Sequence, residues 1–218
     1  MKEKIKINPL RIVIYLFGLL LVCTGISLST KTGLGISTVT APSFAFSEAF
    51  GINISVPIFT LYAMMIIAQF IIRGKRNRRW RDLLQFPVAI AQSSFVGWFS
   101  EQIPLHFDLL WQNLLLMVAG VVLTGIGIAM MVDMQIVPNP PDGLTDAISQ
   151  KTGKDMGLIK NFEDAACVAV ALFIDLTFNG KLISVGLGTV FAMIFLGRTV
   201  YVFNRFFKTK VQKAAGLI

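Results

Sequence analysis

Charge and cysteine are scarce in this sequence. Only 15% of its 218 residues are charged and two are cysteines, whereas 55% are hydrophobic and the mean hydropathy is +0.70. So many hydrophobic residues exclude a disordered chain, two cysteines exclude a small disulfide scaffold, and so little charge does not suit a surface that faces water. The chain is therefore predicted to be a membrane protein, with Cys23 and Cys167 as reduced residues packed inside it.

Recognisable catalytic motifs are also absent. The sequence contains no phosphate-binding loop, no His-Glu-x-x-His and no Gly-x-Ser-x-Gly, and its single histidine is His106. We therefore expect no catalytic residues, no metal site and no cofactor, and the favoured interpretation is that the chain is not an enzyme. An intramembrane enzyme that uses two acids stays open as the third-ranked alternative.

Long apolar runs are what the sequence has in abundance. A membrane-spanning helix needs about 20 consecutive, mostly apolar residues. Six windows meet this requirement, at 10–30, 54–72, 83–101, 109–132, 158–178 and 182–203. The third window is the weakest because Gln85, Pro87 and Gln92 interrupt it, and neighbouring helices must satisfy these polar groups. The predicted fold class is an all-α polytopic membrane protein with six transmembrane helices.

Basic residues predict the orientation of these spans. With six spans, 17 of the 20 Lys and Arg residues fall on the side that holds both termini, six of them in the connection 73–81. Both termini are therefore predicted to be cytoplasmic. The lipid bilayer is the expected partner, and the net charge of +8 indicates topology rather than nucleic-acid binding. A phosphoinositide or nucleic-acid patch at residues 73–81 is the weaker alternative.

Weak internal similarity indicates a duplication. The tripeptide at 24–26 recurs at 124–126, and Gly97 recurs as Gly197, both at an offset of 100. Two repeats follow, 1–105 and 106–218, within one membrane domain. Because each repeat has three spans, the second must enter the membrane from the opposite side, so the repeats are predicted to be inverted. Inverted repeats are a common plan of secondary transporters, with the binding site at the repeat interface.

Each repeat has a long connection that glycine and proline interrupt between its first and second spans. We predict a short helix over 42–50 that ends at Gly51, and a second one that begins near Gly143, is capped by Asp142 and ends at Gly153. Such broken segments expose backbone groups to a ligand. The residues of these connections predicted to contact a solute are Gly33, Gly35, Thr40, Pro42, Glu48, Pro141, Asp142 and Gly143. Surface helices that only cap the bundle are the equally weighted alternative.

Four charged residues within the last two windows form a predicted gating cluster. Charges inside a span are costly and call for partners. We expect Arg198 to pair with Asp164 or Glu163, and Lys160 to complete the cluster. The alternative is that Arg198 and Lys160 reach the membrane interface and that the acids form local hydrogen bonds.

Several segments carry a resemblance to a known group. The stretches 33–42, 141–153, 160–164 and 183–189 are similar to the YczE/YyaS/YitT group of bacterial integral membrane proteins. This resemblance extends over most of the chain. It implies a multi-pass protein of the bacterial inner membrane whose role is unknown or presumed to be transport.

Two functions from different classes follow from these patterns. The first is a secondary transporter or channel for an unidentified small molecule or ion, with its site between the repeats. The second is a non-transporting scaffold, accessory subunit or binding subunit of a larger complex, and either of them could act as a homo-oligomer. The discriminating observation is an internal cavity lined by both broken segments, since a solid core would favour the scaffold.

Overall fold

The computed structural model of the protein describes residues 8–77, 80–102, 105 and 107–217. Within these ranges the chain is helical, without strands, and its eight α-helices are α1 (Pro9–Thr30), α2 (Ala41–Phe50), α3 (Ser55–Asn77), α4 (Gln85–Gln102), α5 (Leu110–Met134), α6 (Pro140–Thr152), α7 (Met156–Ile174) and α8 (Leu187–Ala214). A 3₁₀ turn (Trp80–Leu84) precedes α4 and a π turn (Asp175–Asn179) follows α7. His106 and the basic residues predicted to mark the cytoplasmic side at positions 2, 4, 6, 78 and 79 lie outside the described residues.

Four of the described helices are long and apolar enough to cross a membrane, namely α1, the segment Ser55–Gly74 of α3, α5 and α8. They fall in the first, second, fourth and sixth predicted windows. The third and fifth windows are helical too, but α4 and α7 are shorter, with 18 and 19 residues, and they carry polar side chains such as Gln85 and Gln92 of α4 and the charged residues of α7. Their polarity has a structural use, because Gln85, Gln92 and the charges of α7 bind groups inside the bundle.

Glycines let the two central helices, α1 and α5, approach each other closely. A Cβ atom built on Gly127 would lie 2.5 Å from the carbonyl oxygen of Gly18, and one on Gly25 would lie 2.5 Å from the carbonyl oxygen of Gly120. Small residues at such crossings allow the backbones to come into contact. Helix α4 packs on α1, and α8 packs on α5.

The remaining helices pack around this central pair. Helix α3 contacts α4 and α6, while α2 contacts α7 and α3, and α6 also contacts α7. Arg73 fixes the end of α3, since its guanidinium lies 3.1 Å from Asp82 and 2.8 Å from Asp146 of α6. The short helices α2 and α6 are therefore held between the long helices.

Both predicted short helices exist, but the start of the second differs from the prediction. Helix α2 begins at Ala41, and Gly51 and Gly153 end α2 and α6 in the left-handed conformation, with φ of 60° and 71°. Helix α6 begins at Pro140 with Asn139 at the N-cap position, so the prediction that Asp142 caps it is wrong. Proline has no N–H to lose and its fixed φ suits the first helical turn, so the prolines start the helix instead of delaying it.

Candidate functional site

A half-open cavity of about 150 Å³, lined by both polar and apolar side chains, lies between the helices of the bundle. Val22 of α1 and Thr124 of α5 line it, and each is about 20 Å along its helix from the first residue, so the cavity is near the middle of both helices. The first broken segment contributes Ser37, Val39 and Thr40, and the second contributes Asn139, Pro141 and Asp142. Both interrupted connections therefore reach one cavity.

The side chains of Tyr62, Gln92 and Lys160 complete the polar lining. Tyr62 is on α3, Gln92 on α4 and Lys160 on α7, and Gln92 Nε2 donates a hydrogen bond of 3.2 Å to the Tyr62 hydroxyl. The apolar part of the lining includes Leu196 and Gly197 of α8. A cavity this size holds one small molecule, since an apolar cavity of about 150 Å³ in another protein takes up benzene.

The charges of α7 meet both broken segments beside this cavity. The Lys160 ammonium lies 3.3 Å from Asp164 Oδ1 and 4.0 Å from Glu163 Oε1. Thr38 donates a hydrogen bond of 2.7 Å to Asp164, and Thr145 donates one to Glu163. Because Thr38 belongs to the first broken segment and Thr145 to α6, the acids of α7 connect the two.

Asp142 is the least satisfied carboxylate of the site. It lines the cavity together with Lys160, and no described residue donates a hydrogen bond to it. A ligand with a donor group can therefore satisfy this carboxyl.

Two amide oxygens next to the cavity also lack partners. Gln92 is 2% exposed and Asn139 is 8% exposed, and Gln92 Oε1 and Asn139 Oδ1 are buried with no hydrogen bond from the described residues. An unsatisfied buried acceptor costs about 1–3 kcal/mol. Both residues line the cavity, so a bound ligand can offset that cost by donating hydrogen bonds.

The structure brings together only part of the predicted solute-binding set. Thr40, Pro141 and Asp142 line the cavity. Gly33 is exposed in a turn with φ of 64°, and Gly35 packs on the backbone of Gly186. These two glycines shape the segment and lie outside the cavity lining.

The other three predicted residues occupy separate surroundings. Pro42 lines an apolar groove of about 310 Å³ between α2, α3 and α7. Glu48 lines a pocket of about 210 Å³ with Lys31 and Glu101. Gly143 packs on Gln69, whose Oε1 would lie 2.5 Å from an added Cβ. The groove is larger than the central cavity, but its lining has few polar groups with which to recognise a solute.

Arg198 does not join the charged cluster. Its side chain is exposed and its guanidinium lies 5.5 Å from the ring centre of Phe195 on the same helix, and no ion pair connects it to Asp164 or Glu163. Sequence position places Arg198 at a similar depth to Asp164, but the rotation of α8 turns it away. Lys160 takes the place in the cluster that we predicted for Arg198.

Three residues of the site, Thr38, Thr145 and Asn139, were not among the individually predicted site residues. Thr38 and Asn139 lie within the broken segments that were predicted to form the site, and this position is the signal that could have identified them. Thr38 and Thr145 bond to acids that are 126 and 18 positions away, which the sequence does not indicate.

Apolar helices long enough to span a membrane, in a chain whose described residues form no strand, define a helical membrane protein. The model of a family of unknown function, DUF6198, matches residues 9–205, so the chain belongs to this family. No curated protein matches the chain, and no solved structure matches it either.

Proposed function

We propose that this protein is a secondary transporter or channel for a small solute, with its site in the central cavity. The observation that carries the proposal is the lining of the cavity, where Ser37 and Thr40 of the first broken segment meet Asn139 and Asp142 of the second. Interrupted segments that converge near the membrane midplane are typical of transporter binding sites. A scaffold needs no such cavity, and a solid core would have favoured it.

The proposal includes six spans and two inverted repeats. In this arrangement α1 to α4 correspond to α5 to α8 in order, and the helix contacts support the correspondence. Helix α4 packs on α1 as α8 packs on α5, α3 packs on α6 as α7 packs on α2, and α2 packs on α3 as α6 packs on α7. A rotation of 180° that superposes one repeat on the other would produce each of these pairs of contacts.

The main departure from this correspondence concerns α3 and α4 and the equivalent pair, α7 and α8. Helices α3 and α4 pack closely, but among the described residues α7 and α8 do not form a closely packed pair. The cavity lies in that cleft, because Lys160 of α7 and Gly197 of α8 both line it. In this state α7 and α8 of the second repeat are apart, whereas α3 and α4 of the first repeat are in contact. Alternating access requires such an asymmetry between the two repeats. We propose that α7 and α8 close, and α3 and α4 separate, in the opposite state.

The last part of the proposal concerns the membrane in which the protein lies and the side on which its termini lie. Together with the basic residues near both termini, the resemblance to the YczE/YyaS/YitT group supports a protein of the bacterial inner membrane with both termini in the cytoplasm.

Reconstitution of the full chain into liposomes tests transport directly. Uptake of radiolabelled cations, anions, zwitterions and neutral solutes is measured against protein-free liposomes. The decisive variant is Gly197→Leu, because Gly197 lines the cavity and a Cβ there meets no atom within 4 Å, so we expect the added side chain to be tolerated and to reduce the space open to a solute. Val202→Leu is the matched control, since Val202 is 50% exposed on the same helix.

We expect uptake of at least one solute by the parent chain and by Val202→Leu, with uptake lost in Gly197→Leu. Uptake equal to that of protein-free liposomes for every class of solute would overturn the proposal. Equal uptake by Gly197→Leu and the parent would overturn the placement of the site in this cavity.

A further inference from the structure

The acceptors and charges around the central cavity define what kind of solute it takes. Three carboxyl groups, those of Asp142, Glu163 and Asp164, surround the single ammonium of Lys160. Arg198 contributes no positive charge there, because it is exposed over Phe195. Acidic groups therefore outnumber basic groups at this site.

The charge of Lys160 is already compensated. Its ammonium is 3.3 Å from Asp164 and 4.0 Å from Glu163, so these two acids hold it against α7. Asp142 receives no hydrogen bond from the described residues, although it lines the cavity. An anionic solute would therefore meet a carboxyl group to which no described residue donates a hydrogen bond, and like charges at close range repel.

The unpartnered neutral groups are acceptors as well. Gln92 Oε1 and Asn139 Oδ1 are buried without a hydrogen bond, and both residues line the same cavity. They belong to two different elements, α4 and the segment before α6. A ligand that satisfies them and Asp142 together needs several N–H or O–H donors.

A metal ion does not suit this arrangement. Among the described residues, no group of three or more His, Cys, Asp or Glu side chains is placed to hold one. Two of the free acceptors are neutral amides, and Lys160 adds a positive charge to the lining. An organic cation with N–H donors fits the volume of about 150 Å³ and uses all three acceptors.

We propose that the central cavity binds a small organic cation with several N–H donors, of the amidinium or primary ammonium class, in contact with Asp142, Gln92 and Asn139. The inference rests on the proposed function for its location and adds the chemical class of the solute. Asp142 supplies the counter-charge, and the two amide oxygens orient the donors.

Three probes of nearly the same planar shape and size test the class. Acetamidinium carries a positive charge and N–H donors, acetamide is neutral, and acetate is negative and has no donor. The full-length protein in lipid nanodiscs is heated with each probe at millimolar concentration, and binding is measured by calorimetry. A ligand that binds only the folded state raises the midpoint of thermal unfolding in proportion to the logarithm of its concentration.

We expect acetamidinium to raise the unfolding midpoint and acetamide and acetate to leave it unchanged. Asp142→Asn should weaken acetamidinium binding about ten- to a hundredfold, the loss expected for one hydrogen bond to a charged group. The matched control is Asp155→Asn, because Asp155 caps α7 away from the cavity and asparagine caps equally well. If Asp142→Asn does not fold, Gly197→Leu replaces it and should abolish binding.

The outcomes separate this inference from the transport proposal. The cation site would be overturned if acetate or acetamide bound as strongly as acetamidinium, or if no probe bound. The uptake measurements in liposomes would then still test the transport proposal. Full acetamidinium binding by Asp142→Asn would also overturn it. Acetamidinium binding without exchange of radiolabelled acetamidinium across liposomes would keep the cation site and count against the carrier.

Discussion

Thr38 donates a hydrogen bond of 2.7 Å to Asp164, and this bond joins residues that are 126 positions apart. Thr38 is 5% exposed and lies in the first broken segment, whereas Asp164 is on α7. The Lys160 ammonium also lies 3.3 Å from Asp164 Oδ1 and forms an ion pair with it. One carboxylate therefore fixes both the broken segment and the lysine that lines the cavity.

The first prediction concerns this bond. Thr38→Val keeps the shape of the side chain but removes its donor, so we expect a loss of about 1.5–3 kcal/mol in the free energy of unfolding, the range for a hydrogen bond to a charged group. Unfolding of the purified protein in detergent micelles measures the loss. Thr60→Val is the control, since the exposed Thr60 hydroxyl donates its hydrogen bond to the Val56 carbonyl of the same helix. Equal stability of Thr38→Val and the parent would contradict the prediction.

The second prediction concerns two glutamines that are fully buried, Gln69 of α3 and Gln85 of α4. Each donates a hydrogen bond of 3.0 Å to the other, and Gln69 also donates one to the Pro140 carbonyl. Gln69→Leu should cost about 1–3 kcal/mol or more, because it leaves the Gln85 amide unsatisfied.

The double variant Gln69→Leu/Gln85→Leu provides the test of that pair. Removing both amides leaves no unsatisfied glutamine, so the double variant should be more stable than the sum of the two single changes predicts. Thermal unfolding of the four proteins gives the coupling energy. A coupling near zero would show that the amides act independently.

The third prediction compares two glycine substitutions. Gly25→Ala should destabilise the fold by about 1–3 kcal/mol, because its Cβ would lie 2.5 Å from the Gly120 carbonyl oxygen in the contact between α1 and α5. Gly197→Ala is the matched control, since its Cβ meets no atom within 4 Å. Unfolding midpoints of both variants check the difference, and equal midpoints would exclude the close contact of α1 with α5.

The fourth prediction distinguishes six spans from four. With six spans, reporters fused after Asp108 and Gly153 should lie outside and inside the cytoplasm, respectively, because α4 and α7 each cross the membrane. If only the four most apolar helices cross, both positions change sides. Two reporters distinguish the sides: alkaline phosphatase is active only outside the cytoplasm, and a fluorescent protein is active only within it. A fusion after Leu217 is the control, because it is cytoplasmic in both cases.

The short helices show how far local sequence rules extend. Gly51 and Gly153 end α2 and α6 as predicted, since a left-handed residue that stops a helix is a local property of the chain. The start of α6 was placed three residues late, because the same prolines that break a helix interior are favourable in its first turn. Whether the prolines break a helix or start one depends on the residues that precede them.

The charged cluster shows what local rules miss. Its members Lys160, Glu163 and Asp164 were identified from their positions in a span, and Lys160 pairs with both acids. Arg198 was assigned to it from depth alone, yet it stacks on Phe195. Depth in the membrane follows from residue number, whereas the direction in which α8 presents each side chain follows from its packing on α5.

By itself, the sequence determined that this chain is a helical membrane protein and where its short helices end. Only the tertiary structure decided which polar groups meet, including the bond of Thr38 with Asp164 and the lining of the central cavity. The physical reason is that lipid is as apolar as a protein core, so a spanning helix needs no polar face to mark the side that turns outward.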